Sequence, residues 1–389
     1  MRILIVTARP PWPPRRGDQA RVAGVVAELA NRHEIMVAAL RPPGFGPCEW
    51  PSGVRGFTVR LGLPAAAAAA MGHPALPFQV AVHLHRAFMA SVAQAVSDFR
   101  PHVALVVLSR MGGVLDQLRG VPVVLDLIDA LELNLTNRAA RQRWLAPLLR
   151  IEARRIGAWD RSLVQRTART LVVSERDRAA VTAGLQTSAE RVEIVPFGVP
   201  VLPEPPQPRG GSVVLLSGNL GYFPTVDGAR WFAAEVWPLV RRRHAEAEWW
   251  LAGARPARRV RALASLPGVS LLPSPPRLAD IRARTTVAVA PMHSGSGTPI
   301  KVLEAMAEGV PVVATPAAAA GLDGIPGRAI RVAATGEEFA REICTLLEDH
   351  PRAHDQACEA WRWVREHHSL VEVARRFEAI LEEVSREPS

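Results

Sequence analysis

Lys301 is the only lysine in a chain of 389 residues, and every other cation in its Lys+Arg total of 47 is arginine. It lies in Gly295-Ser296-Gly297-Thr298-Pro299-Ile300-Lys301-Val302-Leu303-Glu304, a glycine-rich turn that runs into a helical period. A turn that opens a helix offers backbone N–H groups and the positive end of the helix dipole to an anion. The pattern suits a phosphate-bearing ligand, with Lys301 neutralising charge and Glu304 facing the same pocket. A helix start with a solvated lysine is the other reading, and these residues alone leave both open.

Two further groups could do chemistry. Gly17 follows the first apolar run after a proline-rich loop, and Arg15 and Arg16 stand beside it. Glycine lets a backbone approach phosphates closely. The arginines could meet a phosphate, meet an anionic acceptor, or be surface charge. Asp126 and Asp129 close a second apolar run. A carboxylate there could orient a hydroxyl, act as a base if its pKa rises, or cap the next helix. His83, His85, His367 and His368 have no shared helix face to act from and are expected at the surface.

These residues need a scaffold of alternating strands and helices. Apolar runs at 3–8, 35–40, 57–61, 103–108, 121–128, 171–174 and 192–195 read as strands buried in a parallel sheet. Asp18 is placed to cap a helix carrying Val22, Val25, Val26 and Leu29. Residues 137–170 read as one long arginine-rich helix or a pair, and the alanine run 65–70 as a loop or helix start. The proline-rich stretch 201–211 is a semi-rigid linker. Strands then recur at 213–217, 249–252, 269–272, 287–291 and 310–314, with helices expected at 226–240, 300–307 and 353–384. The expected organisation is therefore a first domain at 1–200, the linker at 201–211, a second domain at 212–365 and a terminal helix at 366–389 crossing back to the first.

Composition narrows the function. The net charge is +10, but aromatics are 5% and there is one tyrosine, which argues against base stacking and nucleic acid. Anionic substrates or an anionic membrane surface explain the sign equally well. The three cysteines show no metal-ligand spacing, and no metal or other cofactor is expected. Arg9 and the prolines after it interrupt the first apolar run, so no secretory signal is read there, and a cytoplasmic location is expected. No run reaches the length of a transmembrane helix.

Four segments in order resemble the retaining, nucleotide-sugar-dependent glycosyltransferases of family 4. They are the start through Gly17-Asp18, with His33-Glu34-Ile35; Val-Val-Leu-Asp126-Leu-Ile-Asp129; Leu-Val-Val-Ser-Glu-Arg-Asp with Val-Glu-Ile-Val-Pro-Phe-Gly-Val; and the lysine motif. The last is similar to the branch whose signature reads Gly-x-Gly-Thr-x-x-Lys-x-Leu-Glu. The resemblance implies an α/β fold of GT-B architecture, two Rossmann-like domains with parallel sheets facing across a cleft. It implies transfer of a hexosyl unit to a glycan, lipid-linked or small-molecule acceptor, in cell-surface or extracellular polysaccharide synthesis. A peripheral position at the inner face of the plasma membrane would fit. A nucleotide-sugar epimerase and a non-catalytic nucleotide-sugar-binding protein are the rivals.

On this reading Gly17, Gly218, Asn219, Ser296, Gly297, Thr298, Pro299, Ile300, Lys301 and Glu304 bind the donor. Arg15, Arg16, Asp126 and Asp129 bind the acceptor, and Lys301, Glu304 and Asp129 are the catalytic set. Glu304 corresponds to the second Glu of the family's Glu-x7-Glu pair and would bind the ribose; the first falls on Ser296. Many relatives carry an Arg and a Lys after the first strand of the second domain, whereas residues 217–224 hold no cation. Lys301 is therefore the expected diphosphate partner. Many relatives also carry a histidine where Ile128 stands. Such enzymes are thought to react on the front face of the sugar without an obligatory protein base, so neither Asp is expected to be a nucleophile.

Overall fold

The computed structural model describes residues 1–142, 144–185, 187–294 and 298–387. The chain divides into two units, Met1–Gly198 with Leu370–Ser389, and Val199–Ser369.

The first unit is built on a seven-stranded parallel sheet. Its strands are β1 (Arg2–Thr7), β2 (Glu34–Arg41), β3 (Val54–Arg60), β4 (Val103–Val107), β5 (Val123–Ile128), β6 (Arg169–Val172) and β7 (Val192–Ile194). They lie in the order β3-β2-β1-β4-β5-β6-β7. Strands β4 and β5 are buried along their whole length, as continuous apolar runs require. Order reverses between β1 and β4, so the loops after these strands diverge and leave room for a ligand at their carboxyl ends.

The second unit repeats the plan with β8 (Val213–Ser217), β9 (Glu248–Gly253), β10 (Val269–Pro273), β11 (Val287–Ala290), β12 (Val312–Ala314) and β13 (Arg331–Val332). The order is β10-β9-β8-β11-β12-β13, with its reversal between β8 and β11. The two-residue β13 has too short an apolar signature to be read from sequence.

Several helices differ from expectation for identifiable reasons. The expected helix 226–240 is Phe223–Trp231, a π-helical turn Phe232–Val236 and then Trp237–Arg243. Pro238 has no N–H to donate, which favours a local change of hydrogen-bond register. The segment 137–170 is a pair, Leu131–Arg141 and Ala146–Arg166, the second with Pro147 in its first turn. Residues 353–384 form parts of two helices, His350–His367 and Leu370–Arg386. Asp18 is not a cap. It sits in the first turn of Gly17–Leu29, whose N-cap Arg16 makes no side-chain capping bond. Of the histidines expected outside, His368 is 8% exposed and His85 instead caps the helix Arg86–Phe99.

One buried ion pair ties the first unit together. Arg21 Nε donates to Asp126 Oδ2 at 2.7 Å and Nη2 to Oδ1 at 3.3 Å. Nη1 reaches the Pro196 carbonyl at 2.7 Å and Nη2 the Val195 carbonyl at 2.8 Å. The guanidinium also lies 5.3 Å from the ring centre of Phe197 and 4.9 Å from that of Phe377. Both charged side chains are 1% exposed. One cation thus joins the helix Gly17–Leu29, β5, the chain after β7 and the helix Leu370–Arg386. Leu370 also packs on Gly24, where a Cβ would stand 2.8 Å from its Cδ1. Removing one partner of such a pair strands the other charge, at about 3 kcal/mol or more. Asp126→Ala should therefore speed amide exchange in β5 and in Gly17–Leu29 by roughly a hundredfold while second-unit peptides keep wild-type rates. Unchanged first-unit exchange would show the pair to be dispensable.

Candidate functional site

In the second unit the chemistry gathers beyond the carboxyl ends of β8 and β11. Lys301 is the second residue of the helix Ile300–Ala307. Its Nζ donates to Thr225 Oγ1 at 3.2 Å and lies 3.5 Å from Met292 Sδ. Among the described residues it has no carboxylate within ion-pair distance. Burial of the unpaired ammonium lowers its pKa to about 8. The loop after β8 comes to meet it: Nζ stands 3.7 Å from where a Cβ on Gly218 would be. Gly218 has φ +123°, and a Cβ on Gly253, at the end of β9, would lie 1.7 Å from the Gly218 carbonyl oxygen. The backbone angle requires glycine at 218, and close packing requires it at 253.

Around this lysine the loop is set by local bonds. Asn219 Oδ1 accepts from Gly221 N at 3.1 Å, closing a turn that leaves Asn219 exposed. Thr225 is 1% exposed in the first turn of Phe223–Trp231, a helix whose N-cap Tyr222 makes no side-chain capping bond. Thr315, fully buried, donates its hydroxyl to the Met292 carbonyl and so fixes the sulfur beneath Lys301. Thr298 and Pro299 lead into Ile300, all three half-buried, and Pro299 makes no side-chain cap. An uncapped helix start, a glycine at the loop after β8 and a cation without a carboxylate among the described residues are features that suit an anion. Ser296 and Gly297 lie outside the described residues.

Glu304 is held by a residue that sequence reading misses. Arg282 Nη1 donates to Glu304 Oε2 at 3.1 Å, and its Nε and Nη2 grip Glu308 at 2.8 and 2.6 Å. Arg209, from the proline-rich stretch, donates to the carbonyls of Arg282 and Glu308. That places a cation at the carboxyl end of Ile300–Ala307, where the dipole favours it. Arg282 is 7% exposed at the side chain and Glu304 35%, so Glu304 keeps an open edge toward solvent. Burial raises the Glu304 pKa, and Arg282 opposes that rise. Arg282 lies 22 residues before Glu304 in a chain full of arginine, and no spacing marks it.

The first unit separates the two aspartates. Asp126, expected at an acceptor, is buried with both oxygens on Arg21, so its geometry makes it a structural residue. Asp129 is half-buried just beyond β5. Ile128 before it has φ +66°, a strained value for a β-branched residue, where the β5–β6 register shifts. Burial, then Asp177, raise the Asp129 pKa to about 6 against the pull of Arg21. Gly17 opens its helix, while the Arg15 and Arg16 side chains are exposed. Among the described residues one group of possible metal ligands lies close together, His33, Glu378 and Glu382. Arg32 bonds both oxygens of Glu378 there, at 2.8 and 2.7 Å, which makes the group an ion-pair cluster.

The arginine-rich helix Ala146–Arg166 divides its apolar residues. Leu149, Ala153 and Ile156 are core, whereas Leu148 and Ile151 are 64% and 53% exposed, as is Trp144, 83% exposed, just before the helix. No helix among the described residues is long and apolar enough to cross a membrane.

Two family models cover most of this chain: a glycosyl transferase 4-like domain at residues 16–198 and a glycosyl transferases group 1 domain at residues 211–349. The chain belongs to the glycosyltransferases of GT-B architecture. Sucrose-phosphate synthase from Thermosynechococcus elongatus shares the fold at 15% identity and TM-score 0.71, covering 99% of each chain. WaaG, a glycosyltransferase involved in lipopolysaccharide biosynthesis, does so at 15% identity and TM-score 0.68, covering 97% of this chain and 99% of its own. Anabaena HepE, solved in complex with UDP-glucose, matches at 15% identity and TM-score 0.63, over 98% of this chain and 100% of its own. No curated protein matches by sequence.

The site's support is testable without substrate. Arg282→Met leaves two carboxylates unpaired beside Ile300–Ala307. With both carboxylates partly exposed, the expected loss is about 2 kcal/mol, read as a lower urea midpoint in tryptophan fluorescence. An unchanged midpoint would remove Arg282 from the site's framework.

Proposed function

We propose that this protein is a retaining glycosyltransferase. It moves a hexosyl unit from a nucleoside diphosphate sugar, bound by the second unit, to an acceptor bound by the first. The observation that carries the reading is the lone Lys301, set without a carboxylate at the β8/β11 reversal beside Gly218. As the glycosidic bond breaks, negative charge grows on the departing diphosphate. A pre-placed ammonium stabilises that charge more in the transition state than in the ground state. The open edge of Glu304 accepts the ribose hydroxyls, since a carboxylate suits a vicinal diol. Asp129, with its raised pKa, orients the acceptor hydroxyl or takes its proton. No metal is required on this account, because the diphosphate charge is met by protein groups. An acceptor in cell-surface or extracellular polysaccharide synthesis, at the cytoplasmic side of the membrane, fits this chemistry.

Lys301→Ala should lower kcat by about 10² to 10³ at saturating donor. Lys301→Arg should restore only part, because a planar fork does not replace a point charge. Wild-type turnover in Lys301→Ala would return the lysine to a structural role. The pH dependence follows from the same groups. Deprotonated Asp129 gives a rise in kcat/KM through about pH 6, and loss of the Lys301 proton gives a fall through about pH 8. Asp129→Asn should abolish the acid limb, and Lys301→Arg, which stays charged, should abolish the alkaline one.

An anionic membrane surface is the partner proposed for Trp144, Leu148 and Ile151. Exposed apolar residues interleaved with arginine suit the headgroup boundary, each arginine contributing on the order of 1 kcal/mol. Sedimentation should show binding to anionic vesicles at low salt, reduced by high salt and by Trp144→Ala. Binding indifferent to lipid charge and salt, or none, would contradict it.

A further inference from the structure

We infer that the first unit holds a second anion site, built by Arg9 and Arg110 beyond the carboxyl ends of β1 and β4, which takes a phosphate-class group carried by the acceptor. The inference rests on the proposal that this unit binds the acceptor. β1 and β4 are paired neighbours, with Val6 opposite Val106, at the point where the strand order of the sheet reverses. Arg9 follows β1 and Arg110 follows β4 by a few residues, so both stand where ligands of such sheets bind.

Neither arginine is satisfied by the protein. Arg9 is only 9% exposed, its Nε is buried without a partner, and its one ion pair is a 3.4 Å contact with Asp18. The Arg110 Nε is also buried without a partner, and among the described residues its side chain makes no hydrogen bond or ion pair. Arg110 is half-buried. The buried Arg21 and Arg282 behave differently: each spends its N–H groups on carboxylates, with carbonyls added for Arg21. Burying two like charges with one carboxylate between them is costly unless something else completes the balance. The same crowding lowers the pKa values nearby. Burial and then Arg9 hold Arg110 down to about 10, and burial followed by Arg110 holds the nearby His83 at about 4. His83 is therefore neutral, and Arg16 adds to the positive field.

The backbone that carries both cations is fixed. Leu108 turns the chain at φ +73°, the Ser109 hydroxyl bonds Asp160, and Trp159 Nε1 donates to the Ser109 carbonyl at 3.0 Å. These bonds fix the backbone that carries Arg110. Thr7 Oγ1 donates to the Arg9 carbonyl at 2.9 Å, and Gln19 secures the following loop through the Pro10 carbonyl at 2.6 Å and Arg15 N at 3.2 Å. The uncapped start of Gly17–Leu29 lies in the same loop system. Guanidinium forks with free N–H groups match the oxygens of a phosphate dianion.

The test uses the full chain, with inorganic phosphate as the probe and UDP saturating so that the second unit is filled. Calorimetry should show phosphate binding to wild type, weakened at least tenfold in Arg110→Gln and Arg9→Gln and by a smaller factor in Arg110→Lys. In phosphate-free buffer Arg110→Gln should melt at or above the wild-type temperature, because a buried like charge has been removed; a merely structural arginine would give a lower one. UDP affinity should stay within twofold of wild type in all variants. Equal phosphate binding in wild type and Arg110→Gln would overturn the site. A tenfold loss of UDP affinity in Arg110→Gln would assign the anion to the donor's diphosphate and overturn the acceptor assignment. If UDP binds no variant and not wild type, the failure lies with the donor proposal, and the phosphate titration without UDP still decides this one.

Discussion

An ammonium group sunk against a hydroxyl and a thioether, with no carboxylate of its own, is the constraint around which the second unit is arranged. Such a charge is costly to keep, and the costs show in its depressed pKa of about 8. The surroundings are built to hold the lysine there. Thr225 and Met292 receive it, Thr315 pins Met292, and Gly218 and Gly253 let two loops close over the strand ends without a Cβ between them. On the same helix, Glu304 and Glu308 are paired with Arg282. The division of labour is electrostatic: one cation is spent on holding acids, and the other keeps no carboxylate among the described residues.

The same logic operates in the first unit on a different set of groups. There Arg21 is fully spent on Asp126 and on carbonyls, and it fastens four segments of chain. Arg9, beyond its long contact with Asp18, and Arg110 keep unpartnered Nε groups, and they stand at the reversal of the sheet. In both units the satisfied arginine is structural and the unsatisfied cation lies where a parallel sheet leaves space for a ligand. The parallel topology thus decides where function can sit, and the pairing of each charge decides which residues can serve it.

The alternation of strands and helices was legible because buried parallel strands are written as unbroken apolar runs, as in β4 and β5. Lys301 stood out in the sequence because lysine occurs only once in this chain. Other features were hidden. A two-residue strand has no periodicity, and the π-turn before Pro238 depends on hydrogen bonds that a helical pattern does not encode. Asp126 and Asp129 are alike in sequence, and only the reach of Arg21, 105 residues earlier, tells them apart. Arg282, Arg9 and Arg110 were invisible among many arginines, since what matters is how each one is paired in the fold.

The central claim concerns the charge state of one lysine, and the chain has only that lysine to observe. Protein labelled with 15N and 13C in lysine alone gives a single side-chain signal, whose titration can be followed with and without UDP. The account predicts a midpoint near 8 in the free protein, moving upward when the nucleotide's diphosphate is added, because a bound anion favours the charged form. A midpoint at the ordinary lysine value that ignores UDP would contradict it.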